Sequence, residues 1–477
     1  MIPIPERVID LARAVASEGG RALLVGGCVR DPLLGREPKD WDLETYGVDP
    51  MKLRQLLDKF GPVNVVGEAF TVYKLGQDVD VSTPRRERKA GSGHRGFAIE
   101  GDPTMTIADA TRRRDFTINA ILQDPLTGEI IDPFSGQADI KRGLLRAVSV
   151  ATFAEDSLRV LRAAQFAARF EFRIEPETVA LCRAIDLSDL PAERIWGELE
   201  KLLLRSQRPS IGLGWLHALG ALDQLFPEIK ALIDVPQDPD WHPEGDVFVH
   251  TRLVVDRARE LIDDLPYPKQ VTVMLGALAH DFGKPLTTEF IDGHWRSRGH
   301  EEAGVSPTKS LLDRLNIHTL DGYDVHGQVV ALVSDHLKPG EYFKKREEIG
   351  DGAFRRLARK CELDLLYRVA KADSLGRNAE WVPREKWYDA EAQEWFINRA
   401  RELAVEQRPP SPLLWGRHLI EMGVEPGPQM GEITRAVYEM QLDGRVTSLE
   451  EAKRIVGELL STDFADFAEG KPPVKRS

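Results

Sequence analysis

The chain has 477 residues, of which 42% are hydrophobic and 30% charged. At about 100–200 residues a domain, this length predicts two to four domains, and the hydrophobic share argues against global disorder. Lys and Arg number 64 against 77 Asp and Glu, a formal charge of −13, which excludes a uniformly basic nucleic-acid-binding coat.

Cysteine usage and hydropathy indicate a protein of a reducing compartment. Cys28, Cys182 and Cys361 are widely separated, which disfavours a disulfide framework or a cysteine zinc site. The chain has no apolar run near the ~18–20 residues that span a bilayer, and its N-terminus lacks a signal-peptide cleavage pattern. We therefore expect a soluble cytoplasmic protein with no membrane partner; the sequence leaves the oligomeric state open.

The first part of the chain has the pattern of a small α/β domain with a mixed sheet, up to about residue 150. Helical spacing predicts a helix over residues 5–18 and shorter helical runs at Leu33–Leu34 and Leu53–Leu57. Strands are predicted at Ala22–Val25, Val63–Val66, Val72–Leu75 and Val79–Val81. The basic, glycine-rich segment 84–96 predicts a mobile loop.

From Ala154 onward the pattern is helical, apart from a Pro- and Asp-rich linker at 234–246 and a polar tail at 470–477. Helices are predicted at 155–170, 176–186, 191–206, 210–219, 250–264, 269–281, 301–315, 323–336, 353–377, 388–404, 413–422, 431–440 and 448–460.

A phosphate- and metal-binding pattern begins at the end of the first strand. In LVGGCVRDPLLG, Gly26 and Gly27 form a turn whose backbone N–H groups can approach a phosphate closely, and Arg30 can add charge-assisted contacts. In KDWDLE, Asp40 and Asp42 alternate in an extended segment, so both carboxylates project from one face. Two converging carboxylates repel each other unless a hard cation such as Mg²⁺ lies between them.

With these motifs the chain resembles the class II tRNA nucleotidyltransferases and bacterial poly(A) polymerases over nearly its full length. It is most similar to bacterial CCA-adding enzymes that carry a C-terminal HD phosphohydrolase domain. The resemblance implies an α+β fold: a polymerase-β-type nucleotidyltransferase head with a mixed sheet, then an all-α neck and body and a helical HD domain. The implied domains are a head at 1–150, a neck and body for base selection and RNA binding at 151–235, an HD domain at 236–405 and a C-terminal helical segment and tail at 406–477.

The resemblance also assigns the first motif to the triphosphate and two Mg²⁺ ions. The residues concerned are Gly26, Gly27, Arg30, Asp31, Asp40 and Asp42. A second motif, RRDFTIN, supplies Arg114, Asp115 and Asn119 around the sugar and phosphates of the incoming nucleotide. Asn suits this task because its amide both donates and accepts hydrogen bonds.

A third motif is expected to choose the base. Glu155, Asp156, Arg159 and Arg162 have the spacing of one side of a helix, and the resemblance makes this segment a protein template for CTP and ATP. Cytosine and adenine each present an amino donor beside a ring-nitrogen acceptor, which an Asp acceptor and an Arg donor match. We therefore expect Asp156 and Arg159 to read the base and Arg162 to contact a phosphate or orient the site.

The third carboxylate of the head is expected on the strand Val79–Val81. Asp80 can activate the attacking 3′-hydroxyl, with Asp78 as the alternative. The implied reaction is in-line attack of an RNA 3′-hydroxyl on the α-phosphate, with two Mg²⁺ ions stabilising the attacking and leaving oxygens.

Histidine clustering marks a second site. Eight of the 11 histidines lie between residues 242 and 336. His250, His280, Asp281 and Asp373 resemble the H…HD…D signature of HD-domain phosphohydrolases, and mixed imidazole and carboxylate ligands favour a transition metal over Mg²⁺. Further residues are expected near it: Lys284 offsetting phosphate charge, His300 and His336 in substrate contact or at a second metal, and His242 in a structural role.

The function expected is template-independent addition of CCA to the tRNA 3′ end from CTP and ATP, with 2′,3′-cyclic phosphodiesterase, 2′-nucleotidase or phosphatase activity in the HD domain. The alternatives are a poly(A) polymerase, a partial enzyme adding only A or only CC, or an HD phosphohydrolase or RNA-binding protein with an inactive head. The net charge allows an RNA partner, because residues 81–175 hold 15 Lys and Arg against 13 Asp and Glu.

Overall fold

The computed structural model describes residues 3–66, 72–89 and 97–461. The chain divides into two compact units. The first ends at Lys230 and includes Arg314–Asn316, and the second begins at Ala231. Among the described residues, no helix has the length and apolar character needed to cross a membrane.

The first unit opens on a mixed seven-stranded sheet, which confirms the predicted head fold. Only Trp41–Tyr46 and Val79–Ser82 pair in parallel; the other pairs are antiparallel. In spatial order the strands are Val63–Val66, Val72–Leu75, Val79–Ser82, Trp41–Tyr46, Arg21–Val25, Leu122–Gln123 and Ile130–Ile131.

Short helices cover this sheet and position its central strands. The helix Glu6–Ser17 turns Val8, Leu11 and Val15 into the main core of the head, where the helix Pro50–Leu57 joins it. The other helices of the head are Gly27–Leu33, Ile107–Arg112, the 3₁₀ turn Thr117–Asn119 and Gly136–Arg142. A separate hairpin pairs Arg85–Lys89 with Phe97–Gly101, and its first strand covers residues 85–89 of the predicted loop at 84–96. That prediction is wrong for 85–89, and 90–96 lie outside the described residues.

The rest of the first unit is mainly helical, as predicted, but one helix begins later than expected. Its helices are Val150–Phe153, Arg159–Phe170, Pro176–Arg183, Ala192–Arg205, Pro209–Ala218, Ala221–Leu225 and Pro227–Lys230, and a two-stranded parallel pair joins Leu144–Leu145 to Arg173–Ile174. The helix predicted from residue 155 begins at Arg159 because the preceding residues form turns, with the Arg159 N–H donating to the Asp156 carbonyl.

The second unit is also mainly helical. Its helices are Val247–Arg259, Tyr267–Ala279, Lys284–Thr287, His300–Ala303, Val305–Arg314, Val325–Asp335, Lys338–Lys344, Asp351–Leu357, Leu363–Gly376, the 3₁₀ turn Arg384–Lys386, Glu391–Glu402, Gly416–Glu421, Pro428–Leu442 and Leu449–Ser461. The single helix predicted at 353–377 is two helices, separated by a turn at 358–362.

Two β-hairpins interrupt the helices of the second unit. One joins Thr288–Ile291 to His294–Ser297, and the other joins Thr319–Leu320 to Tyr323–Asp324. The last helices form their own apolar cluster around Leu419, Ile433 and Val437. The predicted domain boundaries within and between these parts stay predictions, and the polar tail at 470–477 lies outside the described residues.

Candidate active sites

Carboxylates of two neighbouring strands meet at the centre of the head. In the parallel pair of central strands, Asp42 lies directly beside Asp80, so both side chains point to the same face of the sheet. Asp40 is exposed and lies one residue before its strand begins, so only Asp42 of the predicted alternating pair lies in regular extended structure. Burial raises the pKa of Asp42, and Asp80 and Asp40 raise it further against the opposing charge of Arg114.

This arrangement favours Asp80 over Asp78 as the third carboxylate. Asp78 is exposed in the turn that precedes the strand Val79–Ser82 and has no place in the register beside Asp42. The effect of Asp80 and Asp40 on the pKa of Asp42 shows a concentration of negative charge that a divalent cation would offset.

The glycine turn approaches the same carboxylates. Gly26 has φ 78°, a conformation that glycine adopts without strain. A Cβ built on Gly26 would lie 3.6 Å from the Asp42 carboxylate and 3.8 Å from the Arg114 guanidinium. The turn therefore brings backbone, carboxylate and guanidinium to one place, and Gly27 begins the short helix Gly27–Leu33 beside it.

A buried polar network joins three sequence motifs. Arg30 donates to the Asn119 amide oxygen at 2.5 Å and pairs with Asp31 at 2.6 Å. Asn119 in turn donates to Asp115 at 2.9 Å, and Arg162 pairs with the other Asp115 oxygen at 2.7 Å. All of these except Arg162 are buried. Arg30 and Arg162 thus have protein partners here, and their predicted phosphate contacts stay predictions.

Asp115 is the central acceptor of this network, so removing its charge should destabilise the fold. The free energy of unfolding should be about 3 kcal/mol lower in an Asp115→Asn variant, because the variant leaves the Arg162 guanidinium without its nearest counter-ion. Urea denaturation measures this loss. The matched control is Asp58→Asn, which breaks the exposed pair to Arg54 and should cost less than about 1 kcal/mol; equal losses in the two variants would contradict the network's role.

The same carboxylate predicts a pH dependence. Although burial opposes it, Arg162 and hydrogen bonds from Asn119 and the Phe116 N–H lower the pKa of Asp115 below its ordinary 3.8. A lowered folded-state pKa gives a stabilisation that is complete above the ordinary value and is lost as the pH falls towards the folded-state value. The stability difference between wild type and Asp115→Asn should therefore shrink below about pH 4.

The predicted base-reading residues lie around a turn, not along one helix. Glu155 is exposed and Asp156 half-buried, and both precede the helix that begins at Arg159. Asp156 accepts from the Leu158 N–H at 3.2 Å and pairs with Arg194 at 3.1 Å. The Arg159 guanidinium donates to the carbonyl oxygens of Thr152 and Arg113. The prediction of a shared helix side is wrong for Glu155 and Asp156, which precede the helix; Asp156 accepts hydrogen bonds from the N–H groups of Leu158 and Arg159 at its start.

In the second unit, four predicted ligands converge in the protein interior. The His250 Nε2 lies 3.1 Å from Asp373 and 3.9 Å from Asp281, and the His280 Nε2 lies 3.2 Å from Asp281. All four side chains are buried. They come from three helices, or the turns that end them, which pack together: Val247–Arg259, Tyr267–Ala279 and Leu363–Gly376.

A second group of ligands shares Asp281 with the first. The other oxygen of Asp281 lies 3.4 Å from the His300 Nε2, which lies 3.2 Å from the His336 Nε2. Lys284 lies 2.8 Å from the oxygen of Asp281 that faces His250 and His280. Asp281 therefore connects two potential metal sites, and its pKa is held well below the ordinary value because His280 and Lys284 outweigh the cost of burial.

The imidazole rings are oriented for metal binding. The Nδ1 atoms of His280, His300 and His336 lie 2.7–2.8 Å from backbone carbonyls of Ala277, Ser297 and Val333. A ring that donates through Nδ1 presents its Nε2 lone pair to a ligand. The Nε2 of His280 has no hydrogen-bond partner within the described residues, and burial and neighbouring histidines lower the pKa of His336 to about 3. Buried, converging Nε2 atoms fit a transition-metal ion.

Glu244 orients the remaining histidine. Its carboxylate lies 2.7 Å from the His250 Nδ1 and 2.8 Å from the His242 Nδ1. Although burial opposes it, hydrogen bonds from His242 and His250 lower the pKa of Glu244 to about 2, so the group is ionised. Burial lowers the pKa of His242 to about 3, and this ring packs edge-on against His250.

A Glu244→Gln variant should bind the HD-site metal about 10–100-fold more weakly, because it loses the charge that fixes the His250 tautomer. Equilibrium dialysis of the metal-free protein against Ni²⁺ measures this change. Glu289→Gln, at an exposed strand position of the first hairpin, is the control. Unchanged affinity in Glu244→Gln would show that the Glu244 carboxylate has no such role.

Comparison with known proteins covers these same regions. Residues 22–146 match the family described as the poly A polymerase head domain. Residues 171–233 match the probable RNA- and SrmB-binding site of polymerase A, and residues 247–378 match the HD domain. The "Multifunctional CCA protein" of Xanthomonas campestris pv. campestris (strain B100) is 38% identical over 378 residues, which cover 76% of this chain and 87% of the relative.

The chain belongs to the family of multifunctional CCA proteins. Another member, from Xylella fastidiosa (strain M23), is 42% identical over 304 residues, covering 62% of this chain and 70% of the relative. The resemblance found in the sequence is therefore confirmed.

Solved structures show the same fold. A structure described as the apo form I of a CCA-adding enzyme is 20% identical, with a TM-score of 0.61 over 96% of this chain and 95% of that one. The Thermotoga maritima CCA-adding enzyme complexed with tRNA has a TM-score of 0.58 at 19% identity over 96% and 97% of the two chains.

Several residues around the family motifs were missed in the sequence. Glu44 continues the alternation of Asp40 and Asp42, is fully buried, and lies 2.8 Å from Arg113 and 3.7 Å from Arg114. The alternation of Asp40, Asp42 and Glu44 in the sequence is a pattern that could have indicated this residue. Nothing in the sequence singled out Glu244, because the segment in which it lies was interpreted as a linker.

The pair Arg194 and Glu198 was also missed. They lie one turn apart on the helix Ala192–Arg205, and each contacts a motif residue: Arg194 pairs with Asp156, and Glu198 lies 3.8 Å from Arg162. Glu198 is buried, but its burial is set by packing, so no sequence pattern singles it out from the other charged residues of this helix.

Proposed function

We propose that this chain adds CCA to the 3′ end of tRNA, without a nucleic-acid template, using CTP and ATP, and that its HD domain hydrolyses phosphate esters at RNA ends. The observation that carries the first part is the parallel pairing of Asp42 with Asp80 beside Gly26 and Arg114, in a member of the multifunctional CCA protein family. As a tRNA-processing enzyme the protein would act in the cytoplasm.

In the head, Asp42 and Asp80, with the nearby Asp40, would hold two Mg²⁺ ions. When bound, these ions supply charge stabilisation for the attacking and leaving oxygens. The chain itself would position the groups: Asp80 faces the attacking 3′-hydroxyl, and the Gly26 turn with Arg114 receives the phosphates. The hydroxyl oxygen would form a bond to the α-phosphorus as the bond to pyrophosphate breaks, and its proton would pass to the Asp80 carboxylate.

Asp156 and Arg159 have spare hydrogen-bonding capacity for the base. Two guanidinium hydrogen bonds of Arg159 go to backbone carbonyls, which leaves other donors of its five. Asp156 likewise retains lone pairs beyond its contacts with Leu158 and Arg194. Uracil and guanine present a carbonyl beside an N–H, so they would place a donor opposite a donor and an acceptor opposite an acceptor. Each unmatched polar group costs about 1–3 kcal/mol.

In the HD domain, His250, His280, Asp281 and Asp373 would hold one divalent transition-metal ion. When bound, such an ion polarises a phosphate and makes a water molecule more acidic. The spacing of His300 and His336 favours a second ion over simple substrate contact. Two imidazole nitrogens bound to one metal at about 2.1 Å lie about 3.2–3.4 Å apart, and the observed separation is 3.2 Å. Lys284 would offset phosphate charge.

Sequencing the 3′ ends of the tRNA products after the reaction tests the main proposal. Purified protein with Mg²⁺ is offered tRNA that lacks CCA, together with all four nucleotides. Two C residues followed by one A are expected, with no U or G. Incorporation of U or G at comparable rates would contradict the base-selection role of Asp156 and Arg159, and long A tails would indicate a poly(A) polymerase.

A further inference from the structure

An open cavity lies above the HD metal ligands. It has a volume of about 240 Å³, and Asp281, His300, His336 and Asp373 lie in its lining. A phosphate group of five heavy atoms would leave room for an attached sugar.

One rim of the cavity carries a large exposed aromatic residue. Trp241 lines the cavity, yet half of its surface (50%) is exposed. Its ring lies nearly parallel to that of His294, at an interplanar angle of 13° and a centroid distance of 6.4 Å. Asp238 fixes His294 through a 2.7 Å contact to Nδ1, and the Arg296 guanidinium lies 6.0 Å from the Trp241 ring.

The cavity also carries positive charge close to the metal ligands. Lys284, Arg298 and Arg377 line it, and Arg377 lies 3.7 Å from Asp373. The cavity thus combines two cations that contact predicted metal ligands, Lys284 and Arg377, with an exposed indole. An exposed indole beside a phosphate site suits a nucleobase, because every base has a face that stacks on an aromatic ring.

We propose that Trp241 is the base-stacking platform of the HD site and makes it selective for nucleotidyl phosphate esters over small phosphate esters. The terminal phosphate would lie on the metal side of the cavity, the ribose in its interior and the base against Trp241. This inference rests on the proposed phosphohydrolase function and adds to it a residue that recognises the base of the terminal nucleotide.

Two substrates and two product analogues separate base recognition from phosphate recognition. The Ni²⁺-loaded full-length protein is assayed with 2′,3′-cyclic AMP and with glycerol 1,2-cyclic phosphate, which has no base. Binding of 2′-AMP and of orthophosphate is measured by calorimetry. Trp241→Ala should raise the KM for cyclic AMP and the Kd for 2′-AMP about 10-fold, as expected for one lost stacking contact. The values for glycerol 1,2-cyclic phosphate and orthophosphate should change by less than about twofold.

Two further variants control for folding and exposure. Trp241→Phe should recover most of the affinity for 2′-AMP, since phenylalanine keeps a stacking face. Trp415→Ala removes an equally exposed indole (50%) that does not line the cavity, and should leave all four values unchanged.

The outcomes distinguish this inference from the proposed function. Equal effects of Trp241→Ala on ligands with and without a base, or no effect on 2′-AMP binding, would contradict the stacking role of Trp241. If the wild-type protein binds 2′-AMP through Trp241 but hydrolyses neither ester, base stacking by Trp241 is supported and the proposed phosphohydrolase function is contradicted.

Discussion

An Asp42→Asn variant is expected to lose nucleotide addition almost completely, by at least about 10³-fold in rate. Asp80 and Asp40 both raise the pKa of Asp42, which lies beside Asp80 in the central strands. Replacing it removes a charge that would hold both Mg²⁺ ions, and metal stabilisation of the transition state is worth several kcal/mol.

Primer extension on tRNA lacking CCA measures this loss, with Asp78→Asn as the matched control. Asp78 belongs to the same segment as Asp80 but is exposed in the turn. Its variant should retain addition within about threefold, as expected of a surface substitution. Phosphohydrolysis should be unchanged in both variants. Substantial addition by Asp42→Asn would show that the head carboxylates are assigned wrongly.

An Asp281→Asn variant is expected to lose phosphohydrolysis by about 10³-fold while nucleotide addition is retained. Asp281 is the carboxylate that both groups of HD ligands share, with one oxygen near His280 and the other 3.4 Å from His300. Its removal would therefore weaken both metal sites, whereas His280→Ala affects only the first directly.

Release of phosphate from 2′,3′-cyclic AMP coupled to a phosphatase measures the HD activity, alongside metal content by mass spectrometry. Asp292→Asn, in the exposed turn of the first hairpin, is the control. Retained addition by Asp281→Asn shows that the chain has folded. Full metal content and full hydrolysis in this variant would contradict its position between two ions. His336→Ala should lower the metal content and not merely raise the KM.

The class of the fold and the convergence of the predicted HD residues could be predicted from sequence patterns. Apolar spacing predicts a helix over residues 5–18, and the observed helix is Glu6–Ser17. The strands Val63–Val66 and Val72–Leu75 have the predicted bounds. The convergence of His250, His280, Asp281 and Asp373 followed from a known signature and requires no knowledge of the packing angles.

The two hairpins of the second unit were missed although the signal was present. Each has an Asp-Gly turn: Asp292-Gly293 and Asp321-Gly322, all with positive φ. Such pairs favour a two-residue hairpin turn because both positions require the left-handed conformation. The first hairpin matters for the site, since it carries His294 and Arg296 against Trp241.

The polar partners of the sites could not be predicted in this way. The contact from Arg30 to Asn119 spans 89 residues, and that from Arg162 to Asp115 spans 47. Pairs so distant in sequence are set by how helices and strands pack. Likewise, the shifted start of the helix at Arg159 depends on hydrogen bonds to Asp156, which compete with helix formation and leave little trace in apolar spacing.

The most direct measurement offers the purified protein three tRNAs, ending before CCA, after the first C and after CC, with one nucleotide at a time and Mg²⁺. We predict that CTP extends only the first two, that ATP adds a single A only to the third, and that UTP and GTP extend none. Unlimited addition of A, or ATP used on all three tRNAs, would contradict CCA addition by this chain.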